Sequence, residues 1–358
     1  MQRTYISDLS NHTDTEVLIK GWITVRRDQG KMIFFDFRDA TGTVQGVVLP
    51  ASGAMETAKE TRTEWVVSVS GKVNKRPERN VKAGVVNGDI ELEVLGMEIL
   101  NQAETPVFDL SSDTREINEE TRLTNRYLDI RSERLQTNLR MRHKVQNFVR
   151  GKLDGQNFVE VETPIFTKST PEGARDYVVP SRIYPGKFYA LPQSPQQYKQ
   201  LLMAGGIERY YQFARCMRDE DLRGDRQPEF TQLDMEISFA TEEEIMSVTE
   251  SLLIELVGKL YPEKKIQAIP FPRIPYKEAM EKYGNDRPDI RENKEDPNLL
   301  AFCWVVDFPF FEKTANSDNP QAEGEWTFTH NTFYISKKKH VEKIKERKKI
   351  GETIETQY

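Results

Sequence analysis

The stretch FARCMRDEDLRGDRQPEFTQLDME, residues 213–236, carries most of the information in this sequence. An apolar run ends at Arg218, a loop of alternating acids and bases follows, and apolar alternation resumes at Phe230. This order predicts two strands joined by a charged loop. An arginine at a strand end can grip a phosphate through two hydrogen bonds, and a nearby aromatic ring can stack on a base. We therefore interpret the segment as a nucleotide site rather than as a solvated charged turn.

Three further segments extend this interpretation in both directions along the chain. They read FVEVETPIF at residues 158–166, TPEGARDY at residues 170–177 and QSPQQYKQLLM at residues 193–203. With the 213–236 segment they resemble, in the expected order, motif 1, the flipping loop, the aspartate-binding strand and helix, and motif 2 of aspartyl-type class II aminoacyl-tRNA synthetases. The resemblance implies a catalytic domain built on an antiparallel sheet, with Pro164 at the homodimer interface.

The N-terminal part of the chain predicts a different architecture. Residues 15–100 form successive β segments rich in Val, Ile, Phe and Trp, broken by Gly, Asp and Asn, with a short helical piece near residues 52–61. About five strands of this kind suit an OB-fold barrel, which binds single-stranded nucleic acid. The fold class is therefore α+β, a five-stranded barrel followed by a class II catalytic domain truncated at its C-terminus. The predicted boundaries are 1–104 for the barrel, 105–130 for a hinge and 131–358 for the incomplete catalytic domain.

In the family this barrel reads the tRNA anticodon, and the resemblance carries that role onto Arg27, Phe34 and Gln45. Phe34 and Phe35 are adjacent in a strand and must face opposite sides of the sheet. We expect Phe34 to be the exposed ring, which could stack on an unpaired base. Positions that separate enzymes specific for tRNA(Asp) from those that also accept tRNA(Asn) are matched by Gln29 and Arg79, and both specificities stay open.

The resemblance implies that L-aspartate and ATP form aspartyl-adenylate before transfer to the tRNA end. That chemistry needs cations around phosphorus, with Mg²⁺ accompanying ATP, more than a general base. Arg218 is the catalytic candidate, for the α-phosphate and the aspartate carboxylate. The ATP-binding candidates are Arg218, Asp219, Glu220, Gln227 and Phe230. The aspartate-binding candidates are Glu172, Ser194, Gln196, Lys199, Arg218, Gln232, Asp234 and His330.

Lys199 shows how much of this depends on the resemblance. Gln196 and Lys199 are three residues apart and share a face if a helix has begun, yet a lone lysine on a helix is ordinarily solvated. The family match alone raises Lys199 to the cation that holds the substrate's side-chain carboxylate. His330 lies in THNTF, where the family has a THHPF-like segment, so the loop lacks the proline that fixes φ.

Composition sets wider bounds. The 358 residues suggest about two domains, and 37% hydrophobic with 30% charged residues suit a soluble globular protein. No stretch approaches the roughly 20 apolar residues of a membrane span, and a cytoplasmic location is expected. The net charge of −6 does not indicate nucleic-acid binding, although a local basic face could still bind tRNA. Two cysteines and four histidines without metal-ligand spacing predict no metal site and no disulfide framework.

Helices are predicted at 133–153 and 242–260, and a hydrophobic strand at 304–312 that is closed by Glu312.

Only a short segment separates residues 293 and 302, so the chain resembles compact family members without the inserted bacterial domain. No GLxxGxxR-like motif 3 is present, and we expect this polypeptide alone to activate aspartate poorly. The basic stretch 336–349 is expected to form an exposed helix. Two alternatives remain, an asparaginyl- or lysyl-tRNA synthetase and a non-catalytic tRNA-binding paralogue.

Overall fold

The computed structural model describes residues 1–110, 113–170, 172–221, 224–309, 311–313 and 325–328, with backbone alone for the last two strands. The chain divides into two compact units, Met1–Arg142 and His143–Tyr358. Within the described ranges, no helix is long and apolar enough to cross a membrane.

The first unit is built around a barrel of five strands. These strands and the helix inserted between the third and fourth are β1 (Glu16–Asp28), β2 (Ile33–Arg38), β3 (Thr43–Val48), α1 (Met55–Glu60), β4 (Val66–Lys75) and β5 (Ile90–Asn101). The barrel closes in the order β1–β2–β3–β5–β4, with β3 and β5 parallel and the other pairs antiparallel. The predicted five-stranded OB-fold barrel is confirmed.

Strict alternation along β2 explains why the barrel has a filled core and a chemically distinct outside. Ile33, Phe35 and Phe37 are buried, and the Phe35 and Phe37 rings stack with centroids 5.3 Å apart. Phe34 and Asp36 lie between them and point the other way, because successive side chains of a strand face opposite sides. Phe34, which was expected to be the exposed ring, lies on the outer face of the strand but is half-buried, whereas Phe35 is fully buried.

Three helices follow the barrel, namely α2 (Glu119–Thr124), α3 (Arg126–Asp129) and α4 (Glu133–Asp154), the last of which continues into the second unit. Buried charges fasten the start of this segment within the first unit. Asp129 is fully buried, and it accepts hydrogen bonds from Thr114 Oγ1 (2.6 Å) and Arg126 Nη1 (2.7 Å). Glu64 is 4% exposed and forms ion pairs with Arg38 and Arg131. Such carboxylates are tolerated inside a protein because each has cationic or hydroxyl donors.

In the described part of the second unit, three helices besides α4 and many short strands accompany one long hairpin. Its elements are β6 (Val159–Glu160), β7 (Val178–Pro180), β8 (Phe188–Ala190), α5 (Gln196–Ala204), β9 (Arg209–Met217), β10 (Glu229–Ile237), α6 (Glu242–Leu260), β11 (Lys265–Ile266), β12 (Arg273–Pro275), α7 (Tyr276–Tyr283), β13 (Leu299–Leu300), β14 (Trp304–Val306), β15 (Phe311–Lys313) and β16 (Trp326–Phe328). β9 pairs antiparallel with β10 and parallel with β6. The strand–loop–strand predicted from residues 213–236 is therefore present.

One face of the β9–β10 hairpin packs on helices α4 and α6. The α6 helix begins at a capping box in which Thr241 and Glu244 bond each other's backbone N–H groups, and it has the predicted bounds. The residues of this apolar layer are Val149, Leu153, Tyr211, Phe213, Leu233, Met235, Ile237, Val248, Leu252 and Leu256. The opposite face of the same hairpin is left for polar residues.

The predicted single strand over 304–312 is wrong. The structure has two short strands, β14 and β15, separated by residues in which Asp307 adopts a left-handed φ of 60°. Pro309, which has no N–H to donate to a strand pair, lies in the same break.

Candidate active site and barrel surface

The register of β9 and β10 collects the predicted site residues on one face. Cys216 lies opposite Phe230, Ala214 opposite Gln232, Gln212 opposite Asp234, and Tyr210 opposite Glu236. Directly paired residues of antiparallel strands share a face, and residues two apart on one strand share it too. Phe230, Gln232 and Asp234, which were chosen from sequence, therefore line one surface together with Glu236.

Lys199 of α5 reaches this surface and is enclosed by two carboxylates. Its Nζ lies 2.8 Å from Asp234 Oδ1 and 3.2 Å from Glu236 Oε2, and its side chain is 11% exposed. Burial by itself would lower the pKa of Lys199, but the hydrogen bonds and charges of Asp234 and Glu236 outweigh burial and raise that pKa. The lysine is thus a fixed cation rather than a solvated surface group.

Asp234 has an unused acceptor on the same surface. Among the described residues, no hydrogen-bond donor reaches its buried Oδ2 atom. The nearby Tyr210 hydroxyl donates instead to Gln212 Oε1 at 2.8 Å. Burial, followed by the charge of Asp234, raises the pKa of that hydroxyl. A buried carboxylate oxygen without a donor is suited to a positively charged ligand group.

Glu172 of the 172–177 loop is linked to two more predicted residues, Ser194 and Gln196, at the start of α5. Ser194 Oγ donates to Glu172 Oε2 at 2.5 Å and accepts the Gln196 N–H at 3.0 Å. Gln196 is the first residue of α5, so it and Lys199 lie one helical turn apart on one side. The Asp219 N–H donates to Arg175 O at 3.0 Å, which joins the loop to the end of the hairpin.

Arg218 and Phe230 face each other where the hairpin opens into its loop. The Arg218 guanidinium carbon lies 5.2 Å from the Phe230 ring centroid, and the Arg218 N–H donates to Pro228 O at 2.9 Å. This cation–π contact holds the guanidinium beside the aromatic ring. The remaining ATP candidates, Asp219, Glu220 and Gln227, are exposed in the loop. His330 lies outside the described residues, as does Arg223 of the loop and the basic stretch 336–349.

Two side chains at this site were not selected from sequence. Glu236, which shares Lys199 with Asp234, could have been found by extending the alternation of Gln232 and Asp234 by one step. Gln193 is 1% exposed and hydrogen-bonds the backbone of Ala174. No periodicity identifies Gln193, because it precedes the helix and its partner is a backbone group.

On the barrel, strand register gathers the three predicted anticodon contacts. Arg27 pairs directly with Phe34, and Asp36 pairs directly with Gln45. Arg27 Nη2 donates to Asp36 Oδ1 at 3.0 Å, so the guanidinium is held beside the outward ring. Asp36 is a further member that sequence reasoning missed. Gln29 and Arg79 are exposed in two different connections, the β1–β2 turn and the β4–β5 loop.

No metal centre can be assembled from the part of the chain that the structure describes. Within the described ranges, no group of three or more His, Cys, Asp or Glu side chains is placed to hold an ion. Neither described cysteine is in a disulfide. The arrangement offers a fixed cation and carboxylates on one polar surface, a set of groups suited to a charged ligand.

A closed five-stranded barrel is followed along the chain by a unit with a long antiparallel hairpin. The family model for class II tRNA synthetases (D, K and N) matches residues 118–357, and that for the OB-fold nucleic acid binding domain matches residues 17–100. The chain belongs to the class II tRNA synthetases of this D, K and N group. The resemblance stated from the motifs is confirmed.

Two curated relatives of the chain are aspartate–tRNA ligases. An aspartate–tRNA(Asp/Asn) ligase from Rubrobacter xylanophilus is 51% identical over 309 residues, which are 86% of this chain and 51% of that protein. An aspartate–tRNA ligase from Oceanobacillus iheyensis is 50% identical over 305 residues, covering 84% of this chain and 51% of that protein. The chain therefore spans about half the length of the curated relatives it matches.

A solved structure shares the architecture at lower identity. The asparaginyl-tRNA synthetase from Pyrococcus horikoshii, complexed with asparaginyl-adenylate, superposes with a TM-score of 0.67 and 25% identity. The match covers 80% of this chain and 70% of that chain.

Cys216 provides a chemical test of the hairpin register. It is fully buried on the polar face with its Sγ 3.3 Å from Gln232 Oε1, and burial raises the pKa of its thiol to about 11. Because the thiolate is the reactive form, we expect iodoacetamide at pH 8 to alkylate native Cys216 on the order of 100-fold more slowly than the unfolded chain. Peptide mapping by mass spectrometry measures this, with the half-buried Cys303 as internal comparison. Alkylation of both cysteines at the unfolded rate would contradict the register.

Proposed function

We propose that this chain is the barrel and part of the catalytic domain of an aspartate–tRNA ligase. The reaction joins L-aspartate and ATP into aspartyl-adenylate with release of pyrophosphate, and then transfers the aspartyl group to the 3′ end of tRNA(Asp). The observation that carries the proposal is the buried Lys199 between Asp234 and Glu236. The high identity to aspartate–tRNA ligases supports the same substrate.

The charges of the site match those of aspartate. Lys199 supplies a fixed cation for the side-chain carboxylate of the substrate. Ser194 Oγ donates to Glu172 and accepts the Gln196 N–H, so these three residues are connected and Glu172 supplies a carboxylate acceptor. The Oδ2 of Asp234, which no donor among the described residues reaches, adds another acceptor. These acceptors would take the substrate ammonium, with Gln232 between them on the same strand face. His330 remains an aspartate-binding candidate from the sequence.

Arg218 is proposed to neutralise charge on the α-phosphate as the aspartate carboxylate attacks it. In that step the carboxylate oxygen forms a bond to phosphorus, and pyrophosphate leaves with the electrons of the broken P–O bond. Phe230 would stack on adenine, while Asp219, Glu220 and Gln227 contact ATP at the open side of the loop. Arg218 already lies over Phe230, which supports a nucleotide position beside both. Mg²⁺ would enter together with ATP.

The identity of the amino acid is tested with Lys199→Met. Loss of the cation removes a charge-assisted contact of about 1.5–3 kcal/mol, so we expect L-aspartate to bind the variant about 10- to 100-fold more weakly. Isothermal titration calorimetry of L-aspartate, L-asparagine and L-lysine measures this on the wild-type chain and the variant.

The matched control is Lys152→Met, because Lys152 also pairs with a glutamate, Glu255, but lies on α4 away from the polar face. The control should bind L-aspartate as the wild type does. A preference of the wild-type chain for asparagine or lysine would move the proposal to an asparaginyl- or lysyl-tRNA synthetase.

The barrel is proposed to bind the tRNA anticodon through Arg27, Phe34 and Gln45. An outward aromatic ring with an arginine and a glutamine next to it offers both stacking and polar contacts to an unpaired base. Gln29 and Arg79 are proposed to influence whether tRNA(Asn) is accepted beside tRNA(Asp). Because tRNA is charged for translation, we further propose that the protein is cytoplasmic.

Phe34→Ala tests the stacking contact. We expect the dissociation constant for tRNA(Asp) to rise about 5- to 100-fold, because one base stack contributes about 1–3 kcal/mol. Filter binding at fixed salt with tRNA(Asp) and tRNA(Asn) transcripts measures this. The control is Tyr5→Ala, which removes an exposed ring of the same unit outside β2. Equal losses for Phe34→Ala and Tyr5→Ala would reject the assigned face.

The chain is further proposed to act as a homodimer through the 158–166 segment. Ile165 and Phe166 are 45% and 62% exposed, and Pro164 beside them is exposed too, so this segment presents apolar surface. We expect sedimentation velocity at micromolar concentration to show a dimer, and Phe166→Glu to shift it to monomer. A wild-type monomer under these conditions would contradict the proposal.

The second alternative, a tRNA-binding paralogue without catalysis, makes a distinct prediction for the same calorimetry. Such a protein would bind tRNA through the barrel but would bind neither L-aspartate nor a non-hydrolysable aspartyl-adenylate analogue. Binding of the analogue together with tRNA therefore favours the ligase.

A further inference from the structure

Gln193 is a buried side chain whose hydrogen bonds all go to one loop in the second unit. It lies between β8 and α5 and is 1% exposed. Its Nε2 donates to Ala174 O at 2.9 Å and to the Asp176 carboxylate, and its Oε1 accepts the Ala174 N–H at 3.1 Å. The side-chain amide thus pairs with the main chain of Ala174 as two peptide groups pair in a sheet.

To bond both the N–H and the C=O of Ala174, a buried side chain must donate and accept hydrogen bonds at the same time. Among the side chains, primary amides combine an acceptor oxygen with two N–H donors, and here all three functions are used. Because the side chain is buried, any variant that leaves one of these groups unpaired loses more than the hydrogen bond itself. Gln193 is therefore suited to hold the loop rather than to fill space.

We propose that Gln193 is a positioning residue that latches residues 172–176 over the pocket of Lys199 and Asp234. The hydrogen bonds that its side chain makes within the described residues go to Ala174 and Asp176. Ser194 holds Glu172 at 2.5 Å while Gln193 holds Ala174, so two consecutive residues fasten one loop at two points. The loop's role in aspartate binding rests on the proposed function, whereas the latch itself does not.

The latch acts on the substrate through Glu172. That carboxylate is the loop's acceptor for the substrate ammonium, and its position depends on where the backbone of residues 172–176 lies. Releasing Ala174 frees the loop to move away together with Glu172. The expected consequence is weaker aspartate retention with little change in how fast a bound substrate reacts.

Amide hydrogen exchange of the full chain tests the latch directly. We expect Gln193→Ala to speed exchange in the peptide spanning residues 172–176 about tenfold or more, the amount associated with losing a buried hydrogen bond. Gln267→Ala is the matched control. Its side chain makes the same two-point contact on another loop, accepting the Glu292 N–H at 2.8 Å and donating to Ile290 O at 3.1 Å. That control should leave residues 172–176 unchanged.

The variant Gln193→Glu distinguishes loss of the loop's hydrogen bonds from general unfolding of the protein. Glutamate keeps the size and the acceptor for the Ala174 N–H, but at pH 8 it places a carboxylate beside Asp176 and Ala174 O. Exchange of the loop should then be fast at pH 8 and slower again near about pH 5, after correction for intrinsic exchange, because the protonated acid has one O–H donor and restores one of the two hydrogen bonds that the amide donates. A variant damaged only in its packing would show no such recovery.

Repeating the exchange with L-aspartate separates the two proposals. In the wild type, aspartate should protect the loop, and Gln193→Ala should raise the half-saturating concentration about tenfold. Loop release in the variant without any protection by aspartate in the wild type would support the latch and contradict the proposed substrate. Unchanged loop exchange in both Gln193→Ala and Gln193→Glu would overturn the latch.

Discussion

The antiparallel register of β9 and β10 is the constraint on which the second unit depends. Each residue of the hairpin has its face fixed by the pairing, so the apolar side packs on α4 and α6 while the polar side faces the site. A slip of one residue would send Asp234 into the helices and Leu233 into the site. The buried layer therefore maintains the catalytic geometry, because the cost of exposing it holds every polar residue in place.

Charge pairing governs the site in the same way. Burial alone would lower the pKa of Lys199, Asp234 and Glu236 raise it, and the two carboxylates would repel each other without Lys199. The result is a set of charges fixed before any ligand arrives, which lowers the reorganisation needed when a charged substrate binds. The barrel has a similar but more exposed ion pair, in which Asp36 orients Arg27 beside Phe34.

Much of this could be anticipated because local patterns are strong in this chain. Alternation along β2 placed Phe34 and Phe35 on opposite faces, and the resemblance selected Phe34 as the outer one. The apolar stripe and the glutamates at 242–244 gave α6 its bounds. The failure at 304–312 has a local cause as well. Apolar residues there were counted as one strand, although Pro309 and the left-handed Asp307 interrupt it.

The sequence by itself determined the class of protein, since the four motifs and the β-rich N-terminal segment stand in family order and carry residues with fixed chemistry. It also determined which residues of a strand share a side, because that follows from a period of two. Only the tertiary structure decided the partners. Glu236 joining Lys199, Asp36 holding Arg27 and Gln193 clasping Ala174 link residues 37, 9 and 19 positions apart. Such contacts depend on register and loop closure, which no local pattern encodes.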